Sequence, residues 1–390
     1  MKKKLFFFLL VINLAFGDEL KNYLDSLNNE LFSLKLKESN LEGKKLSLDW
    51  IGGIFITYSR NFSTQYENKS FISQNFSISI EQAIFRFGGI LFGIKYSKAL
   101  ANSKSLAIEK EKRSLIVRAY EIAINLKKSS LELKKMKLKI KNDELEYKKK
   151  RDLFNRGALD SIELNRAILA LDMDRVQLLN IKREISFYKN EFKKISKKDP
   201  LKISIPPLKI FSKKEYVNNN YDLLIKEAQV RKDYYQKNAT ITKYLPTISL
   251  YASFNHITPT LVGKSSYINY GLKVTMPIYI NEFIDIERAK VSYLKSRVEK
   301  LVLKNSLKKE YKDIVEGIKL IDQKIDISKK DKKLYYKLYL DTKEQFKSGS
   351  KTKVDVEIMK NSYYIKKLDI KILEYEKSLE ILKLYKKVRG

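Results

Sequence analysis

The sequence predicts a mainly helical chain that carries a smaller strand-built segment, with one structural unit laid out twice. Three observations predict it. Gly and Pro are scarce, 13 and 6 in 390 residues, which favours long uninterrupted helices. Four segments alternate apolar and polar residues with period two, the strand signature. The order short helix, strand, strand, very long helix, Gly turn, long helix occurs once in each half, and a repeat of this size fixes the organisation before any local detail does.

The first half starts its short helix at Asn28-Asn29-Glu30-Leu31 and the second at Asn219-Asn220-Tyr221-Asp222-Leu223. The strands come in pairs. In the second half, Ile248, Leu250, Ala252 and Phe254 share one face, and Thr247, Ser249, Tyr251, Ser253 and Asn255 the other. Its partner sets Ile268, Tyr270, Leu272, Val274 and Met276 against Asn269, Gly271, Lys273 and Thr275. In the first half, Ile72, Phe76, Ile78 and Ile80 oppose Ser73, Asn75, Ser77, Ser79 and Glu81, while residues 50–63 alternate less cleanly. Segments of ~9–12 residues suit tilted strands crossing a bilayer, and they suit a soluble half-buried sheet equally well. Polar turns at 64–69 and 258–265 join the pairs.

Very long helices follow. Residues 90–152 hold no Pro and one Gly, Gly93, and residues 280–348 only Gly317. At ~1.5 Å per residue, ~65 helical residues span about 100 Å. A 3-4 apolar spacing runs through Leu115, Ala119, Ile122 and Leu126, then Leu133, Met136 and Ile140. The second half has Val291, Leu294, Val298 and Leu301, then Tyr311, Ile314, Ile318, Ile321 and Ile325. The returning helices continue it with Leu178, Ile181, Ile185, Tyr188 and Phe192, and with Ile365, Leu368, Ile372, Tyr375, Leu379 and Leu382. This is a coiled-coil seam with stutters.

The long helices reverse at matched motifs, Arg156-Gly157-Ala158-Leu159-Asp160 and Ser348-Gly349-Ser350-Lys351-Thr352. Gly supplies the left-handed exit, and the polar residue three on, Asp160 or Thr352, can cap the next helix. Gly157 lies 74 residues beyond Ala83 and Gly349 lies 72 beyond Pro277, so the two hairpins reach the same depth. The expected organisation is a signal peptide at 1–17, a first repeat at 18–194, a linker at 195–218 and a second repeat at 219–390. The linker holds Pro200, Pro206 and Pro207 and reads as irregular structure wrapping the outside.

Composition removes several classes of function. There is no cysteine and one histidine, His256, so thiol chemistry, disulfides, His triads and multi-His metal sites are excluded. Paired acids such as Glu109 and Glu111 sit beside lysines on helix faces and give no acid–base site. Residues 88–93 resemble the start of a phosphate loop without its Lys-Ser/Thr. No enzyme activity and no cofactor are expected. The net charge of +33 invites a nucleic-acid reading, but the lysines are interleaved with Glu and Asp, and no nucleic-acid partner is expected. Lys2, Lys3 and Lys4, a 12-residue apolar run at 5–16 and the small-x-small Ala15-Phe16-Gly17 before Asp18 read as a secretory signal. No later stretch approaches ~18 uncharged apolar residues, so membrane residence after export requires a barrel.

Over nearly all of residues 18–388 the chain resembles the TolC-like outer membrane efflux proteins. The resemblance is carried by Tyr244-Leu245-Pro246-Thr247-Ile248-Ser249-Leu250, Met276-Pro277-Ile278-Tyr279, Ala83-Ile84-Phe85-Arg86-Phe87-Gly88-Gly89 and the two Gly turns. It implies four strands and long helical hairpins per chain, and a homotrimer whose 12-stranded barrel sits in outer-membrane lipid above an α-helical periplasmic tunnel. Elementary physics agrees, because four strands cannot close a barrel and open edges are not tolerated in lipid. It further implies the exit duct of a tripartite efflux or type I secretion system, working with a periplasmic adaptor (membrane fusion protein) and an inner-membrane transporter. By resemblance, Asp355 stands at a gate ring of carboxylates. Ile358 occupies the next ring position, and Lys351 and Glu163 stand where a bridging pair would fall. Gly157, Asp160, Gly349 and Thr352 form the adaptor-contacting turns. The rival reading is a periplasmic coiled-coil structural or adaptor protein that never enters the membrane.

Overall fold

A computed structural model describes residues 24–65, 69–205, 207–259 and 265–389. The signal-peptide reading, the tips of both strand turns and Pro206 lie outside the described residues. The elements are α1 (Ser26–Leu48), β1 (Ile54–Gln65), β2 (Lys69–Phe85), α2 (Gly89–Asn155), α3 (Ser161–Lys193), a short 3-10 turn (Pro200–Lys202), α4 (Lys213–Asn218), α5 (Tyr221–Lys243), β3 (Thr247–Pro259), β4 (Ser265–Thr275), α6 (Glu282–Lys347) and α7 (Lys353–Lys387). Matched elements have matched lengths: 23 residues in α1 and α5, 67 and 66 in α2 and α6, 33 and 35 in α3 and α7.

Backbone chemistry ends the long helices where the motifs place the turns. Gly157 and Gly349 have φ of 70° and 79°. A Cβ added at either meets nothing within 4 Å, so the demand is on conformation rather than space. The Asp160 carboxylate accepts the Ile162 N–H at 3.2 Å to cap α3. Thr352 and Asp355 form a reciprocal capping box at α7. Gly349→Val is expected to destabilise the second turn by about 1–2 kcal/mol, read as faster amide exchange across residues 345–360 than in the wild type.

The strands form one antiparallel sheet in the order β1-β2-β3-β4, so the central β2–β3 pair joins the two halves of the sequence. Two strand expectations need correction. The strand read at 50–63 begins only at Ile54, after the Gly52-Gly53 pair. The strand read around 72–81 extends over the 17 residues Lys69–Phe85, because pairing with β3 carries it through an irregularity between Ala83 and Phe85.

The chain divides into two compact units, each drawing on both halves of the sequence. One holds the sheet, most of α1, the start of α2, α5 and the start of α6. There α1 packs on α2 so closely that a Cβ on Gly43 would stand 2.7 Å from the Ala101 methyl. The other holds the rest of the long helices and the segment between the repeats. Its core gathers Ile124 and Leu126 of α2, Phe192 of α3, Leu307 and Ile318 of α6 and Leu384 of α7, all 2% exposed or less.

The segment between the repeats belongs to that core, which corrects the expectation of irregular structure on the outside. Tyr216 is 0% exposed and Val217 4%. The Tyr385 hydroxyl donates to the Lys209 carbonyl and accepts its N–H, at 3.0 and 2.9 Å. The signal was Ser212-Lys213-Lys214-Glu215, a capping box that starts α4. The seam also needs correction. Ile314, Ile318 and Ile325 are buried as expected, but Val291, Leu294, Val298 and Leu301 are 53–59% exposed. On α3, Leu169, Met173, Val176 and Leu179 form a second apolar stripe, 58–72% exposed. Periodicity marks a face that needs a partner; it does not say which chain supplies it.

Candidate functional site: an apolar sheet face and a clamp at the hairpin turns

The register sorts side chains by face. One cross-strand row is Ile56–Ile78–Phe254–Ile268, and the next is Ile54–Ile80–Ala252–Tyr270. The opposite face carries Ser79–Ser253–Asn269 and Ser77–Asn255, with Lys273 bridging to Glu81 at 3.1 Å. The apolar face is uncovered: Ile56 is 69% exposed, Ile268 67%, Tyr270 80% and Leu272 68%. Both outer strands, β1 and β4, present open ladder edges. No described helix is long and apolar enough to cross a membrane.

At the turns, the expected gate residue Asp355 is fully engaged. Its Oδ2 accepts from the Thr352 backbone N–H at 2.9 Å and hydroxyl at 2.8 Å. Its Oδ1 accepts from Lys149 Nζ of α2 at 2.9 Å. The Thr352 backbone bond and then the Lys149 ammonium hold this carboxyl well below the usual carboxylate range, at about 2. Asp355 thus caps its own helix and ties α7 to α2. Farther from the turns, Lys141 bridges to Glu357 at 2.5 Å. Asn142 Nδ2 donates to the Ile358 carbonyl at 3.3 Å and to Ser362 Oγ at 3.2 Å. Asn361, 6% exposed, donates to Asn142 Oδ1 at 2.9 Å. Ile358, the next ring position by resemblance, is 8% exposed and packs inside this layer.

Glu163 ties α2 to α3. It accepts from Lys150 at 3.0 Å and from Arg166 at 2.6 Å, and those bonds, Lys150 first, hold its carboxyl below the usual range. Lys351 is exposed in the second turn and is not brought to Glu163 within the chain. Among the described residues no group of His, Asp and Glu could hold a metal ion.

A second carboxylate cluster lies within the first hairpin. Asp174 of α3 is 8% exposed; its Oδ1 accepts from Lys139 at 2.7 Å, and its buried Oδ2 finds no donor. Asp143 of α2 faces it, with Lys139 and Glu146 on its own helix. Burial, and then the hydrogen bond to Asp174, push the Asp143 carboxyl up from 3.8 to about 6. A proton on Asp143 is shared with the Asp174 carboxylate across the hairpin. The folded chain therefore holds a proton that the unfolded chain releases. The added stability is fully present below the unfolded value of ~4 and is lost as pH rises through about 6. Thermal unfolding of the wild type should lose ground against Asp143→Asn between pH 5 and pH 7. Parallel pH profiles of the two proteins contradict the shared proton.

No protein-family model and no curated protein matches the chain. Solved structures do. The Campylobacter jejuni CmeC outer membrane channel is 16% identical with a TM-score of 0.75, covering 96% of this chain and 85% of that one. The Neisseria gonorrhoeae MtrE outer membrane channel in its open state is 13% identical at 0.73, with 95% and 87% covered. The outer membrane protein VceC from Vibrio cholerae is 12% identical at 0.71, with 95% of each chain covered. The fold is TolC-like.

In this TolC-like chain, sequence reading found the turns and their caps and missed what joins the hairpins. Lys149, Lys141, Asn142 and Asn361 were hidden among many polar helix residues. Asn361 had a detectable signal, since it continues the Ile365–Leu368 stripe back toward Ile358. A polar residue on an apolar stripe marks a specific partner. Asp143 and Asp174 lie 31 residues apart, and nothing local pairs them.

Proposed function

We propose that three copies of this TolC-like chain form an outer-membrane channel. In this reading it is the exit duct of a tripartite efflux or type I secretion system, with a periplasmic adaptor and an inner-membrane transporter as partners. The observation that carries the reading is the sheet: four strands, two open edges and an apolar face left bare. Such a face is a liability in water, and the open edges are intolerable in lipid until further strands close them. Three copies supply ~12 strands, between packed ~8-strand barrels and open ~16-strand porins. The apolar rows then face lipid and the Ser, Asn and Lys rows a wet lumen.

The bare stripes on α3 and on α6 support the same assembly, since neighbouring copies would cover them. The hairpin turns at Gly157 and Gly349 are the ends that meet the adaptor, with Asp160 and Thr352 fixing the first turn of each returning helix. Asp355 and Lys149 act at the gate as a link between hairpins, with Glu163 bracing the first turn and Lys351 free to meet a neighbouring copy. No catalytic step is assigned.

Flotation of carbonate-washed membranes tests the reading against the soluble adaptor. The channel should float with outer-membrane lipid and cross-link as a trimer. Release into the wash as a monomer overturns it.

A further inference from the structure

Where β2 hands over to α2, a cavity of about 570 Å³ lies between α2 and α5. Arg86, just past β2, and Lys243, the last residue of α5, stand in its wall, and no carboxylate does. Tyr96, Gln236 and Thr240 add hydroxyl and amide donors. Among the described residues no carboxylate pairs with Arg86 or Lys243. Lys243 only lies over the Tyr244 ring, 5.4 Å from its centroid. Two like charges among neutral donors repel each other and call for an anionic occupant. Gly93 is a separate sign of one. It sits inside α2, where glycine is unfavourable, yet a Cβ there would meet nothing within 4 Å. Gly89 has a packing reason, since its Cβ would stand 2.9 Å from Thr242 Oγ1. Gly93 has none, and what its missing side chain leaves open is the cavity.

The register tells which way the cavity opens. Gln236, Thr240 and Lys243, at i, i+4 and i+7 of α5, also line a second cavity of about 430 Å³ against α6. Both cavities therefore open on one side of α5. Thr247 lines the first and pairs with Thr275, on the sheet face that carries Ser249 and Ser253. That side of α5 thus continues the polar face of the sheet. The second cavity adds Arg288 to the same band, and its two acids are engaged. Asp285 accepts from the Tyr244 hydroxyl at 2.5 Å, and Asp233 bridges to Lys232 at 3.1 Å.

We propose that the α2–α5 cavity binds the anionic group of a solute, a carboxylate, phosphate or sulfonate, between Arg86 and Lys243. The proposal rests on the channel reading in one respect, that the polar sheet face meets the lumen. It adds a substrate class to that reading: the site stands on the path of the solute and takes anions.

The test uses the purified full-length protein in non-ionic detergent. The probe is a trisulfonated pyrene dye; its control is a pyrene carrying quaternary ammonium groups. Fluorescence anisotropy should show the sulfonated dye binding, more weakly as salt rises, and the cationic dye not binding. R86Q/K243Q should weaken binding roughly tenfold or more. G93L keeps every charge and fills the open space, and it should weaken binding as well. K304Q/K308Q removes two exposed lysines of α6 that line neither cavity and should leave binding unchanged. Sizing confirms that each variant assembles, and K243Q alone serves where the double change disturbs assembly. Equal binding of both dyes, binding undiminished in R86Q/K243Q or in G93L, or an equal loss in K304Q/K308Q overturns the proposal. Planar-bilayer current from the same wild-type preparation keeps the two readings apart. Dye binding without current removes the duct and leaves the anion site; current without dye binding removes the site and leaves the duct.

Discussion

Ile78→Arg combined with Phe254→Arg is expected to keep the protein out of the membrane. The two residues are direct cross-strand partners on the central strands, in a middle row of the apolar face. An Arg facing lipid near the midplane of a barrel costs ~2–4 kcal/mol. Two per protomer in three protomers place the assembled cost on the order of 12–24 kcal/mol, at or above the upper end of the usual stability of a folded domain. The matched control is Ser79→Arg with Ser253→Arg, partners in the adjacent row on the polar face. That pair should insert, because its side chains meet water. Immunoblots of floated membranes check both. Equal insertion of the two variants removes the assignment of faces.

Asp355→Ala is expected to loosen the junction of α2 and α7 at the hairpin turns. It removes the carboxylate half of the capping box, which accepts from the Thr352 backbone N–H, and the Lys149 bridge together. A lost cap is worth ~0.5–2 kcal/mol, and a partly exposed ion pair adds up to ~1 kcal/mol. A change of one or two kcal/mol shifts a two-state balance roughly 5–30-fold, so single-channel conductance should rise or flicker open more often. Lys149→Ala should act differently. It breaks the same link but leaves the Asp355 charge in place and newly accessible, so block by divalent cations should strengthen. A carboxylate held at about 2 contributes stability above its unfolded pKa of 3.8 and loses it as pH falls toward about 2. The link therefore holds throughout the neutral and mildly acidic range. Conductance and divalent block unchanged in both variants would remove Asp355 and Lys149 from the gate.

Much of the fold was legible because its signals are local. Ile248 through Phe254 alternate within one strand, Gly349 and Thr352 lie three residues apart, and both belong to single elements. The failures occur where the deciding partner is distant in sequence or is absent from the described residues. Residues 195–218 looked irregular because their prolines concealed a six-residue helix, and Tyr216 is buried by residues from other parts of the chain. Val291 through Leu301 have helical spacing, yet nothing among the described residues covers them. The clamp escaped notice because Lys149 is one lysine among Lys148, Lys149 and Lys150. Only the packing of α2 on α7 selects the one that reaches Asp355, 206 residues away.

In the proposed assembly, copies of this chain close a pore through the outer membrane. The most direct measurement is single-channel recording of the detergent-extracted outer-membrane oligomer in a planar bilayer, with its mass determined on the same fraction. Discrete, long-lived conductance steps from a species three protomers in size are expected. A preparation that sizes as a monomer, or a trimer that passes no current, contradicts it.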